Sequence, residues 1–184
     1  MQKIISKLLS PATFILAGTL ARILPHPANF APIGAMALFG GTYMGKKEAL
    51  ILPIAAMILS DLVIGFDSLP MRLIVYGSFL LMVPVGFWLK KNLNLKNIIL
   101  SSLAVSILFF IITNFAVWAF GTMYAKTSSG LAECFLLAIP FFRNTMLGDF
   151  FYIGAIFGGY NLANSQAKKN NFRPQAVLIR EKLG

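Results

Sequence analysis

A handful of polar side chains interrupt the apolar runs of this sequence, and any chemistry it performs must begin with them. Arg22 closes one run, Asp61 lies in "ILSDLVIGFD", Asn114 in "ITNFAVW", and Arg143, Asn144 and Asp149 in "PFFRNTMLGDFFY". A charge at the centre of a bilayer costs about 2.5–3.5 kcal/mol on insertion scales, so such groups must face one another, a partner or a water-filled cavity. Arg143 and Asp149 are separated by about 600°, or −120°, of helical phase and cannot pair along one helix. Arg143 therefore takes its carboxylate from elsewhere, and Asp61 is the expected partner. Asp149 has Thr145 one turn earlier and calls for Arg22 or a backbone donor as well. Two readings stand for Asp61 and Arg143: an ion pair that locks helices together, or contact with a ligand. Asp149 lies deeper and reads as structural. Asn114 reads as a hydrogen bond to a neighbouring helix.

The single histidine sits in "RILPHPANFAPIGAMALFGG", residues 22–41. Pro25 and Pro27 restrict the backbone around His26 and prevent a regular helix. With Asn29, His26 makes a rigid loop suited to reading a ligand at a cavity mouth, since a neutral imidazole shares hydrogen bonds or ligates a metal near neutral pH. The plainer reading is a surface histidine in a tight connector. One histidine and one cysteine, Cys134, exclude a His-pair motif, a cysteine-based zinc cage and an internal disulfide. There is no Walker loop and no G-x-S-x-G. Neither a metal nor a cofactor is expected.

The elements that must position these groups are apolar helices. The chain has 184 residues, 58% hydrophobic and 12% charged, against roughly 45–50% and about 25% in ordinary globular chains; its mean hydropathy is +0.77. Six apolar stretches, 8–24, 28–45, 48–66, 70–89, 97–121 and 133–160, approach or exceed the ~20 residues that cross a bilayer. The second carries Pro32, Gly34, Gly40, Gly41 and Gly45 and must be broken or sheltered by its neighbours. The net charge of +10 is spread between the runs, as in membrane-flanking segments, which argues against a nucleic-acid partner. With both termini inside, Lys3, Lys7, Lys46, Lys47, Lys90, Lys91, Lys96, Lys168, Lys169, Arg173, Arg180 and Lys182 fall on the inner side and only Arg22, Arg72 and Lys126 on the outer, as the positive-inside rule requires. Trp88 falls at the inner boundary, Trp118 and Tyr124 at the outer. Lys3 and Lys7 before an apolar run imitate a signal peptide, but Arg22 follows at once and an uncleaved first span is expected. The expected fold is an all-α integral membrane protein: six transmembrane helices over 1–162, both termini cytoplasmic, and a basic cytoplasmic tail over 163–184. Small residues at Ala17 and Ala21, at Ala37, Gly41 and Gly45, and at Gly154 and Gly158 allow close helix packing.

Six helices in about 180 residues with both ends inside resemble the substrate-binding S-components of energy-coupling-factor (ECF) vitamin transporters. "RILPHPANFAPIGAMALFGG", "LSDLVIGF", "VYGSF", "ITNFAVWAFGTMY" and "AIPFFRNTMLGDFFY" resemble a family of small bacterial transport proteins, which is in turn similar to the solitary cobalamin transporters (BtuM). The resemblance implies a substrate-binding and translocation subunit in the bacterial inner membrane that does no covalent chemistry. It implies a vitamin-like ligand near the outer face and energy from a coupling subunit with two ATPases, docked on Ala17 and Ala21. His26 matches the cobalt-side histidine of the cobalamin relatives. Ser78 stands where they carry cysteine, and a hydroxyl is a far poorer cobalt ligand than a thiolate, which argues against cobalamin itself. On this resemblance His26 and Asn29 belong to an outer lid, Tyr76, Ser78, Asn114, Trp118, Arg143 and Asn144 line or brace the pocket, and Asp61 orients Arg143. Arg143 suits an anionic ligand directly as an alternative. Two other classes stand beside this one: an intramembrane lipid-modifying enzyme using Asp61, Asp149 and His26 as acid–base groups, and a structural membrane subunit.

Overall fold

The computed structural model describes residues 10–182, with side chains described for 10–165, and its described residues are all helical or loop. Lys3, Lys7 and the start of the first apolar stretch lie outside the described residues, as do the side chains of the basic tail. Among the described residues seven helices follow in order: α1 Pro11–Ile23, α2 Ile33–Tyr43, α3 Lys46–Ile64, α4 Leu69–Lys91, α5 Leu95–Phe120, α6 Ser128–Leu137 and α7 Ile139–Lys182. The starts follow from local chemistry. Ser10 caps α1 by accepting from the Thr13 amide, with Pro11 at the first helical position; Asn94 caps α5 from the Asn97 amide and Thr127 caps α6 from the Gly130 amide.

The sixth apolar stretch is two helices rather than one. α6 and α7 meet at Ala138 with a bend of 47°. Pro140 lacks an amide proton, and its ring clashes with the carbonyl four residues earlier, so one straight helix cannot pass through this point. Beyond the bend, α7 runs to Lys182, through the segment expected to be a separate tail.

By length and composition, α4 and α5 are each able to cross a membrane, and the bent α6–α7 pair makes a third candidate. α1 and α2 are apolar but short, with 13 and 11 residues. α3 has 19 residues, with Lys46, Lys47 and Glu48 in its first turn and Asp61 near its end. This all-helical architecture is compatible with a membrane protein.

The glycine-rich second stretch is the centre of the molecule. Every residue of α2 from Ile33 to Thr42 is buried, against α4, α3, α7 and α5. Small residues make this burial achievable: a Cβ on Gly41 would come within 2.8 Å of the Gly86 Cα on α4, so the two backbones all but touch. Thr42 donates to the Leu38 carbonyl at 2.8 Å. Below it, Phe39 and Tyr43 of α2 pack against Phe157 and Tyr160 of α7. Outside this core, large apolar side chains such as Leu16, Leu20, Ile51, Leu62, Leu73, Leu81, Ile111 and Phe151 remain exposed.

Candidate functional site

The connector between α1 and α2, residues 24–32, is held from both sides. Its prolines keep Leu24 to Pro27 out of the helix, and the Phe30 amide donates to the Pro27 carbonyl at 3.0 Å, closing a turn. Asn29 takes the third position of that turn with φ of 64°, a left-handed conformation that Asn tolerates better than most residues. Phe30 packs against Phe151 and Tyr152 of α7, with ring centroids 5.8 and 5.6 Å away. α7 comes this close because Gly148 lacks a side chain: a Cβ there would lie 3.1 Å from the Phe30 Cα. His26 is exposed, and its Nδ1 donates to the Leu24 carbonyl at 2.6 Å. The carbonyl can only accept, so this bond fixes the proton on Nδ1 and leaves Nε2 free.

Where α1 ends, Arg22 reaches across to α3. Its Nη1 forms an ion pair with Asp61 and donates to Ser60 Oγ at 2.5 Å. Ser60 spends its own proton on the carbonyls of Ala56 and Met57, so its oxygen is free to accept. Tyr76 of α4 donates to the other Asp61 oxygen at 2.5 Å. Both oxygens of a buried carboxylate are thus satisfied, from two different helices. Sequence reasoning paired Asp61 with Arg143, and that pairing is corrected here. Arg22 leaves α1 at the level of Asp61, whereas Arg143 lies on an exposed face of α7 with no ion pair or hydrogen bond among the described residues. Arg22 is equally unavailable to Asp149.

Asp149 is only 3% exposed. Its Oδ2 lies 2.6 Å from the Ser106 hydroxyl of α5, not against Thr145, whose hydroxyl donates to the Phe141 carbonyl at 3.0 Å. Its Oδ1 lies against Gly34 in the first turn of α2, so close that a Cβ there would sit 2.6 Å from it. That turn has no side-chain cap, and the positive end of a helix dipole favours an anion at such a place.

These groups border a cavity of about 240 Å³. Arg22, His26 and Asn29 line it from the α1 end and the connector, and Thr145 and Asp149 line it from α7. The rest of the wall is apolar: Met57, Met82, and Phe79 with Phe109, two rings nearly parallel at 26° with centroids 5.0 Å apart. A second cavity of about 250 Å³ lies beside it, bordered by Asp61, Tyr76, Asp67 and Arg72. Arg22, Met57 and Val75 line both and form the wall between them, with Asp61 and Tyr76 on the side of the second.

Of the residues singled out from sequence, the structure brings His26 and Asn29 to the first cavity and Asp61 and Tyr76 to the second. The others lie elsewhere. Ser78 is buried and donates to the Val75 carbonyl of its own helix at 2.6 Å. Asn114 donates to the Phe110 carbonyl one turn back rather than to a neighbouring helix. The Trp118 indole donates to the Ala125 carbonyl at 2.9 Å, and Lys126 returns a bond to the Trp118 carbonyl, so Trp118 closes the α5–α6 connection. Asn144 is half-buried and borders neither cavity. Ala17 and Ala21 line a shallow apolar groove with Phe14, Tyr152 and Ile156. Sequence reasoning missed the cavity roles of Arg22, Thr145 and Asp149. The signal was there: residues 145 and 149 are one helical turn apart and share a face, and residue 143 does not.

Among the described residues no three His, Cys, Asp or Glu side chains group closely enough to hold a metal ion. No curated protein matches the chain, and no solved structure matches it. A family model does match, over residues 2–175, spanning every helix that lines the cavity: the chain belongs to DUF6580, a family of unknown function.

Proposed function

We propose that this protein is a membrane-embedded binding and translocation subunit for uptake of a small, vitamin-like solute. One observation carries the reading: a cavity of about 240 Å³ bordered by Arg22, His26, Asn29, Thr145 and Asp149 inside a bundle whose outer side chains are largely apolar. Polar groups are costly inside apolar helices and mark solute pathways when they converge on a cavity. The volume lies just below the roughly 300–1,000 Å³ typical of small-molecule sites, which favours a compact solute over a corrinoid.

In this reading the chain crosses the bacterial inner membrane six times with both ends inside, α6–α7 making the sixth crossing. The charge distribution supports it, with twelve of the sixteen basic residues on the inner side. A coupling subunit with its ATPases would dock on the groove of Ala17 and Ala21. The alternative of an intramembrane enzyme has less support, because Asp61 has both oxygens engaged by Arg22 and Tyr76 and is poorly placed to move a proton.

Native mass spectrometry of the gently purified protein tests the reading. A retained small molecule that disappears in Phe109→Trp, which fills the cavity, is the expected result. A wild-type protein that retains nothing, and that no solute in a vitamin panel stabilises against heat, would overturn it. Ala17→Leu and Ala21→Leu should abolish co-purification of a coupling subunit; unchanged docking would reject that part.

A further inference from the structure

We infer that the cavity solute is a small organic cation, a protonated amine or amidinium on a flat apolar body, and that Asp149 is its counter-ion; this rests on the binding reading above. Three ionisable side chains border the cavity: Arg22, His26 and Asp149. Arg22 is already neutralised by Asp61, which Tyr76 also satisfies. His26 is exposed at the mouth and has its Nδ1 proton committed to Leu24. Asp149 is the exception. It is almost wholly buried, no cation pairs with it among the described residues, and Oδ1 has no hydrogen-bond donor there. The first turn of α2 beside it offers a partial positive charge, equivalent to about half an elementary charge, which holds a carboxylate without cancelling it. A buried carboxylate is stable when paired and hydrogen-bonded, and the cavity that Asp149 borders gives a further donor access to it.

The rest of the wall fits the same ligand. Phe79, Phe109 and Met82 line the same cavity as Asp149, and the two rings stack on each other. Aromatic faces attract cations, and a flat apolar body gains from packing on rings and thioethers. An amidinium offers two parallel N–H donors to the two carboxylate oxygens, the geometry that makes charge-assisted pairs strong. An anion would meet an Arg22 whose charge Asp61 already balances and an unneutralised Asp149. The competing arrangement is a neutral Asp149 that donates to Ser106 while Ser106 donates to the Ser102 carbonyl, 3.0 Å away; it predicts no preference for cations.

The test is binding by the full-length protein in detergent, read by calorimetry and melting temperature, of four probes of matched shape: benzamidine, benzylamine, benzyl alcohol and benzoate. The two cations are expected to bind saturably and about tenfold or more tighter than the alcohol, with benzoate weakest. Asp149→Asn, which keeps an acceptor for Ser106, should remove the preference, and Glu133→Gln on the exposed face of α6 should keep it. Alcohol and cations binding equally, or benzoate binding best, would overturn the cation assignment and leave the cavity reading standing. Binding by none of the four would overturn the cation assignment, and the cavity reading would then stand or fall on the native mass spectrometry and vitamin panel above. If Asp149→Asn does not fold, carbodiimide labelling of the wild type reads the same contact: benzamidine should protect Asp149 from dicyclohexylcarbodiimide, and labelling unchanged by benzamidine would reject it.

Discussion

At the scale of single residues, satisfaction of polar groups decides which side chains are committed and which are available. Arg22 and Asp61 are committed: their side chains are 21% and 8% exposed and share a network with Ser60 and Tyr76. Removing one partner of a buried pair costs about 3–5 kcal/mol because the other charge is stranded. The partial exposure of Arg22 places Arg22→Ala near the low end, about 3 kcal/mol, with Asp61→Ala similar and the double variant recovering much of the loss. Melting temperatures of the four proteins in detergent check this, and strict additivity would refute the coupling. Asn29 makes a different prediction. Its φ of 64° is open to Gly and hostile to β-branched side chains. Asn29→Gly should leave stability nearly unchanged, whereas Asn29→Val should cost about 1–3 kcal/mol and weaken ligand binding by displacing the connector. That polar residues buried in apolar runs matter was legible from the sequence, and so was the turn-forming character of "PHPAN". Which carboxylate meets which arginine was not. Helical phase relates residues on one helix only, and Arg22, Asp61 and Tyr76 lie on three.

At the scale of elements, the packing of α2 against α4 organises everything else. The same helix α4 carries two glycines with opposite roles. A Cβ on Gly86 would meet the Gly41 Cα at 2.8 Å, backbone that cannot swing aside, whereas a Cβ on Gly77 would meet nothing within 4 Å. Gly86→Ala should therefore destabilise by about 1–3 kcal/mol, as overpacking of a tight core does. Gly77→Ala should stabilise by about 0.5–1 kcal/mol, because alanine loses less backbone entropy than glycine in a helix. Chemical or thermal unfolding of the two variants separates the cases, and equal effects would mean that α2 and α4 are not in close contact. The apolar stretches and their order were readable, including the need to shelter the glycine-rich second one, because these depend on composition alone. The break at Ala138 had its cause in plain view in Pro140, yet the long apolar run 133–160 masked it. The short length of α2 followed from the connector ahead of it: Pro32 stands immediately before Ile33, and the prolines and Asn29 occupy residues that an uninterrupted span would have used.

At the scale of the whole molecule, the question is how α1 and α2 relate to a bilayer. At 1.5 Å per residue they extend about 20 and 16 Å, short of the ~30 Å hydrocarbon core. Among the described residues, α4, α5 and the α6–α7 pair alone reach by length and composition. For α2 to complete a crossing, residues 24–32 must continue it at membrane depth as non-helical backbone. Such backbone is tolerated only where protein buries it or where it lines a polar cavity. Phe30 meets the first condition, packed on Phe151 and Tyr152, and His26 and Asn29 meet the second by bordering the cavity. The site and the topology are therefore one problem, since the interruption that shortens α2 also supplies the cavity's polar rim. Four single cysteines in a Cys134→Ser background separate the alternatives: Ala28→Cys, Lys47→Cys, Asp67→Cys and Asn92→Cys, all at exposed positions. Six crossings predict that an impermeant maleimide labels residues 28 and 67 in intact cells and reaches 47 and 92 only after the membrane is opened. If only α4, α5 and the bent pair cross, residues 28, 47 and 67 share one side and 92 lies opposite. Residue 47 is decisive. Labelled together with 28 and 67, it would leave α1, α2 and α3 on one face of the membrane, and the cavity they build would open to the same compartment throughout, with no route across.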